Sequence, residues 1–203
     1  MVELCPELKD CIVDIGNGIR LIKNKFLTTV YIRSGNDEDL YNKPYSYRVR
    51  RELAQKYLEE ENFDSFIFIH ERPFRLEALV EVLFSIKKED LFRIVEYVWA
   101  DSEDPCVNLE VWKYIFNYCE ELGVLEDSKR DLPDKFTIYR GTRADIEDIG
   151  ISWTLDASVA KMFSERFYTK RTNKQPIVKV KEVKKEDIFL FTDARGEKEV
   201  ILK

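Results

Sequence analysis

The stretch ARGEKEVILK places two glutamates, Glu197 and Glu199, two residues apart where an apolar run begins. In an extended backbone such residues point to one face, so two like charges would share a face of a strand otherwise bound for the core. Upstream, IYRG sets Tyr139, Arg140 and Gly141 at the end of a strand-like run. An arginine there offers a planar fork of donors suited to phosphate or ribose oxygens, and a glycine lets a ligand approach the backbone closely. Between them, GISWTLD puts Ser152 and Thr154 on one face of a short strand and Trp153 on the other, with Asp156 placed to cap a helix. Taken singly, each has a plain structural reading: an ion pair beside a turn glycine, a strand leading into a capped helix, a solvated edge strand with exposed charges. Their order and spacing along one segment are more specific than any of them alone.

Arginine on a first strand, Ser-x-Thr on a second and Glu-x-Glu at a last strand resembles the ADP-ribosyltransferase family, in particular its branch with an Arg–Ser–Glu triad and a Glu-x-Glu motif. The resemblance covers about residues 134–203, and the strings YRG, GISWTLD and GEKEVIL are similar to small bacterial and phage members of that family. It implies that Arg140 holds the phosphates and ribose of NAD, that Gly141 supplies the backbone contact to the nicotinamide amide, and that Ser152 orients Glu199, the catalytic glutamate. Glu197 would be the first glutamate of the motif, which engages the acceptor and goes with arginine as target. Tyr139, Thr154 and Phe163 complete the implied cofactor-binding set, with Phe163, Phe167 and Tyr168 as candidates for the aromatic that caps the nicotinamide. Trp153 is bulkier than the usual middle residue of the serine motif, Thr154 stands where a serine is common, and the Arg140–Glu199 separation is short. The implied fold is therefore a compact version.

The implied chemistry suits these groups. Breaking the bond between ribose and nicotinamide develops positive charge on the ribose, as in glycoside hydrolysis, and a carboxylate on the ribose 2′-hydroxyl binds more strongly as that charge grows. A second carboxylate two residues earlier can align an acceptor guanidinium and take up its proton. No metal is required, and NAD serves as co-substrate.

These residues must be positioned by elements of two kinds. Up to about residue 130 the chain reads as mostly helical, after short strand candidates in GIRLIKNKF and TTVYIR. One helix is expected to open near Pro44 or Ser46 and run through Glu61. RLEALVEVLFSI, KEDLFRIVEYVWA and NLEVWKYIFNYCEELG carry helical periodicity, with Leu91, Ile94, Val95 and Val98 as one apolar stripe and Gly123 as a stop. From SKRDLPDK onward, short strand-like runs are interrupted by one helix, DASVAKMFSERFY. The expectation is an α+β protein with a helical N-terminal region, 1–130, and a compact antiparallel β core of the transferase type, 131–203.

Composition bounds the rest. With 203 residues, 44% hydrophobic and 35% charged, the chain can bury a sizeable core, and no run reaches the length of a membrane span. The N-terminus lacks a basic and then apolar leader, so a secretory signal is not expected. Cys5, Cys11, Cys106 and Cys119 form no CxxC motif and read as reduced thiols of a cytoplasmic protein, in the host-cell cytoplasm if the chain is phage-encoded. A single histidine, His70, disfavours a histidine-based metal site and reads as structural, and Trp99 and Trp112 read as core. Residues 134–203 hold 15 basic and 12 acidic side chains, a balance of +3, against 18 and 27, or −9, before them. That tilt suits an anionic ligand, and Lys170, Arg171 and Lys174 form its most basic loop, suited to the NAD diphosphate or a nucleic acid. The expected partner is a protein carrying the acceptor arginine. RNA or DNA as acceptor, or a non-catalytic interaction protein on a degenerate transferase fold, are the alternatives.

Overall fold

Asn17 and Gly18, both with positive φ (54° and 74°), turn the chain back on itself after its first strand. A two-residue turn of that kind matches the right-handed twist of the strands it joins, and Asn-Gly is the dipeptide that adopts it most readily. The result, in a computed structural model that describes residues 8, 10–32, 38–102, 105–143, 150–166 and 175–203, is an antiparallel meander of β1 (Ile12–Gly16), β2 (Ile19–Asn24) and β3 (Leu27–Ile32). Helices α1 (Glu38–Glu59), α2 (Phe63–Ile69) and α3 (Arg75–Val82) follow. The α1 helix runs back through Pro44 to Glu38, although the sequence marks that proline as an opening. An interior proline removes its own amide bond and crowds the carbonyl four residues back, which weakens the helix there without setting where it starts. The apolar run after Glu61 becomes α2, whose first turn is capped by the Asn62 side chain accepting from the Ser65 amide at 3.2 Å. Together with Ile22 and Phe26, the α2 and α3 residues Phe66, Ile67, Leu79 and Val82 are buried.

By its internal contacts the chain divides into two units, Met1–Ile86 and Lys87–Lys203. The second holds α4 (Lys88–Asp101), α5 (Leu109–Glu121), β4 (Lys135–Arg143), β5 (Ser152–Thr154), α6 (Ala157–Glu165), β6 (Pro176–Lys184), β7 (Ile188–Thr192) and β8 (Glu199–Leu202). The change of character near residue 131 is thus a switch from helix to strand inside one unit, because α4 and α5 build a common core with the sheet. Leu91, Ile94, Val95 and Val98 form the buried stripe of α4, as their spacing predicts. Trp99 and Trp112 are buried edge to face at 5.0 Å, and Phe116 of α5 continues the chain of rings to Phe189 of β7 at 5.4 Å. Gly123 ends α5 with φ 69°.

The sheet is antiparallel throughout, in the order β6-β4-β5-β8-β7. An α+β class is therefore as expected. The strand β8 is an inner strand with all four residues buried, so the charged stretch that precedes it does not run along a solvated edge. No helix among the described residues is long and apolar enough to cross a membrane. Burial pushes the Cys119 thiol up to about 12, which leaves it unreactive at neutral pH.

His70 is buried between the rings of Phe26 and Phe66, at 4.8 and 4.9 Å. Its Nδ1 lies 2.7 Å from the Phe66 carbonyl, which can only accept, so Nδ1 carries the proton and Nε2 is left bare and buried without a partner. Burial, the largest influence, holds its pKa below the ordinary 6.5; Lys25 adds to this, while the Phe66 carbonyl, Glu81 and Glu77 oppose it. The unfolded chain therefore takes up the proton first. Stability present above pH 6.5 is lost as the pH falls below it toward the folded pKa. The single Cε1–H resonance of His70 should titrate with a midpoint below 6.5, and a midpoint at or above it would refute this account.

Candidate active site

Residues directly opposed on neighbouring strands share a face. Tyr139 of β4 pairs with Thr154 of β5, Thr154 with Glu199 of β8, and Glu199 with Thr192 of β7. This transverse row crosses the sheet and holds one carboxylate at its centre. Glu199 is only 4% exposed, and a buried carboxylate must be paired or hydrogen-bonded. Ser152, two residues from Thr154 along β5 and so on the same face, donates from Oγ to Glu199 Oε1. The other oxygen, Oε2, accepts from Arg195 Nη2 at 2.9 Å.

Arg195 stands in the turn between β7 and β8, a tight structure held at several points. The Gly196 amide bonds the Asp193 carbonyl at 2.9 Å, the Lys198 amide bonds Asp193 Oδ1 at 2.9 Å, and the Ala194 amide bonds Thr192 Oγ1 at 3.2 Å. Gly196 and Lys198 both take the left-handed conformation, φ 68° and 46°. For a lysine this conformation is uncommon, and the bonds to Asp193 and from the Leu155 amide to the Lys198 carbonyl (3.0 Å) hold it there. The expectation that Glu197 and Glu199 share a face because they lie along an extended strand is corrected here. The strand starts only at Glu199, and the left-handed Lys198 breaks the alternation. The two carboxylates converge instead on one guanidinium nitrogen, with Arg195 Nη2 3.0 Å from Glu197 Oε2 and 2.9 Å from Glu199 Oε2.

Burial raises the pKa of Glu197 above the ordinary glutamate value; Arg195 opposes this, the Glu199 charge adds to it, and Arg166 opposes it. A glutamate in that state holds a proton more readily than a solvated one, which suits a group that receives one.

The remaining candidates fall into place around this centre. Thr154 is buried, donates from Oγ1 to the Glu197 carbonyl at 2.6 Å and accepts from the Asp156 amide at 3.0 Å. Its hydroxyl proton is committed to the Glu197 carbonyl, which ties β5 to the turn before β8. Asp156 caps α6 as expected, accepting from the Ser158 amide at 2.9 Å and its hydroxyl at 2.6 Å, and these bonds hold its carboxyl below the usual range. Arg140 donates to the Ser152 carbonyl and lies against Gly150, where a Cβ would meet Arg140 Nη2 at 1.9 Å. It thereby fixes the residue that carries the serine. Phe163 sits on α6 with the Arg166 guanidinium 6.0 Å from its ring centre. Phe167, Tyr168, Lys170, Arg171 and Lys174 lie outside the described residues.

Arg195 is the residue that sequence reasoning missed, although it precedes the two glutamates by two and four positions. The helix α4 also serves the turn: Glu96 Oε1 accepts from Thr192 Oγ1, and the Ala100 carbonyl accepts from Arg195 Nη1 at 3.3 Å. Among the described residues, no group of three or more metal-ligating side chains is gathered. No family model matches the chain, and neither a curated protein nor a solved structure does so.

Gly141 answers to packing. A Cβ there would lie 1.9 Å from the Ala160 carbonyl oxygen and 2.6 Å from the Ser164 amide, both backbone atoms of α6. The helix occupies the face by which a ligand would approach the Gly141 backbone. Gly141→Ala should therefore lower stability by about 1–3 kcal/mol, read from urea unfolding midpoints. An unchanged midpoint would show that α6 shifts freely.

Proposed function

We propose that the protein is a mono-ADP-ribosyltransferase that moves ADP-ribose from NAD to an arginine of a target protein and releases nicotinamide. The observation that carries this reading is that Glu199, held by Ser152, shares one guanidinium nitrogen with Glu197. The Arg–Ser–Glu resemblance supplies the reaction class, and the geometry suits it.

Glu199 has one oxygen fixed by a hydroxyl and the other by a cation, which holds the plane of its carboxyl group constant. Each oxygen keeps a lone pair for a ribose hydroxyl. A preorganised anion of this kind stabilises the oxocarbenium-like ribose more than the ground state, because the positive charge exists only as the bond to nicotinamide breaks. Arg140, half-buried beside Ser152, is the donor suited to the ribose and phosphates, and the resemblance gives the Gly141 backbone to the nicotinamide amide. Tyr139 adjoins them in the same strand. Glu197 then receives the acceptor's proton. That the glutamate pair already grips a guanidinium favours arginine over a nucleobase as acceptor.

Labelled NAD incubated with the protein and a cell extract should yield labelled protein, with label lost to protease and resistant to nuclease. Label lost to nuclease would move the acceptor to RNA or DNA. Absence of label, of nicotinamide release and of thermal stabilisation by millimolar NAD would favour a binding protein instead. Glu199→Gln, which keeps the shape but not the charge, should reduce nicotinamide release about 100-fold or more. Glu197→Gln should spare nicotinamide release and lose transfer. As the pH falls through the raised pKa of Glu197 the base becomes protonated, so wild-type transfer should decline with a midpoint above the ordinary 4.5. A transfer profile that is flat across this range would remove Glu197 from the role of base.

A further inference from the structure

Arg195 occupies the place that an acceptor arginine would take. Both glutamates contact its Nη2, at 3.0 and 2.9 Å, while Nη1 is held away on the Ala100 carbonyl at 3.3 Å. The side chains are 36% exposed at Arg195, 22% at Glu197 and 5% at Glu199, so the guanidinium is the outermost member of the trio. A terminal guanidinium nitrogen with a base on one side and the ribose-binding carboxylate on the other is presented as a nucleophile, not merely as a counter-ion.

We propose that Arg195 is itself an acceptor, and that the protein ADP-ribosylates this residue in cis. The inference rests on the transferase reading of the same site. In the step, the bond between ribose C1″ and the nicotinamide nitrogen breaks and nicotinamide leaves with its electron pair. Nη2 of Arg195 gives up a proton to Glu197 and forms the new bond to C1″ with the pair so freed. The product is a substituted guanidinium, still cationic, and one proton is released per transfer. Tethering supplies the rate advantage. The turn bonds from Gly196 and Lys198 to Asp193 keep the nucleophile within reach of both carboxylates, and a positioned intramolecular group reacts as though at very high concentration. An external arginine must first displace Arg195 from the same two oxygens.

The test uses the full purified chain with labelled NAD and no other protein. The expected result is one ADP-ribose on the peptide that contains Arg195, with tryptic cleavage after Arg195 lost. The rate per molecule should stay constant over a roughly tenfold dilution, as an intramolecular reaction requires. Arg195→Lys should remove that peptide's label. Nicotinamide release with Arg195 unmodified would overturn this inference and leave the transferase reading standing. A rate per molecule that falls in proportion to dilution would likewise overturn modification in cis. Failure to release nicotinamide at all would overturn both.

Discussion

The burial of the Glu199 carboxylate is the constraint around which the second unit is arranged. An ion removed from water carries a penalty of several kcal/mol unless its oxygens are occupied by well-placed donors. Here they are a hydroxyl and a guanidinium, and each is delivered by a separate element. The strand β5 has only three residues, yet it brings Ser152 to the carboxylate and uses Thr154 to fix the backbone just before it. The turn before β8 brings Arg195. Remove either delivery and the inner strand β8 begins with a buried carboxylate oxygen that lacks its donor.

The helices α4 and α5 give this arrangement its rigidity. Ring packing from Trp99 through Trp112 and Phe116 to Phe189 fixes α4 and α5 against β7. From that base α4 reaches the turn twice, at Glu96 and at the Ala100 carbonyl. On the other side, α6 lies so close to β4 that residue 141 has room for no side chain. The site thus stands on a scaffold of helices, and the segment before β4 that reads as a separate helical region supplies two of the helices that hold it.

Much of the fold could be read in the chain. Periodicity placed the buried stripe of α4, Gly123 ended α5 and Asp156 capped α6, because each depends on neighbours within a turn or two of helix. The Asn-Gly hairpin of β1 and β2 is equally local, and its signal lies in the sequence. Pro44 misled because a proline weakens a helix at its own amide and at the carbonyl four residues back without setting where the helix starts.

The candidate site divides in the same way. Residue types and order were enough to draw Ser152, Glu197, Glu199 and Arg140 together, since strand alternation places Ser152 and Thr154 on one face. They did not give Arg195 its place, the use of Thr154 on the turn or the reason for Gly141. Each of those depends on a contact that closes only when the strands pair: a left-handed Lys198 that redirects Glu197, a carbonyl of α4 that holds a guanidinium, a helix laid against a strand. The sequence by itself determined which groups are present and the local structure that carries them, because those follow from covalent spacing and short-range preference. The tertiary structure alone decided which charge faces which, because burial and convergence are properties of the packed sheet and not of any segment within it.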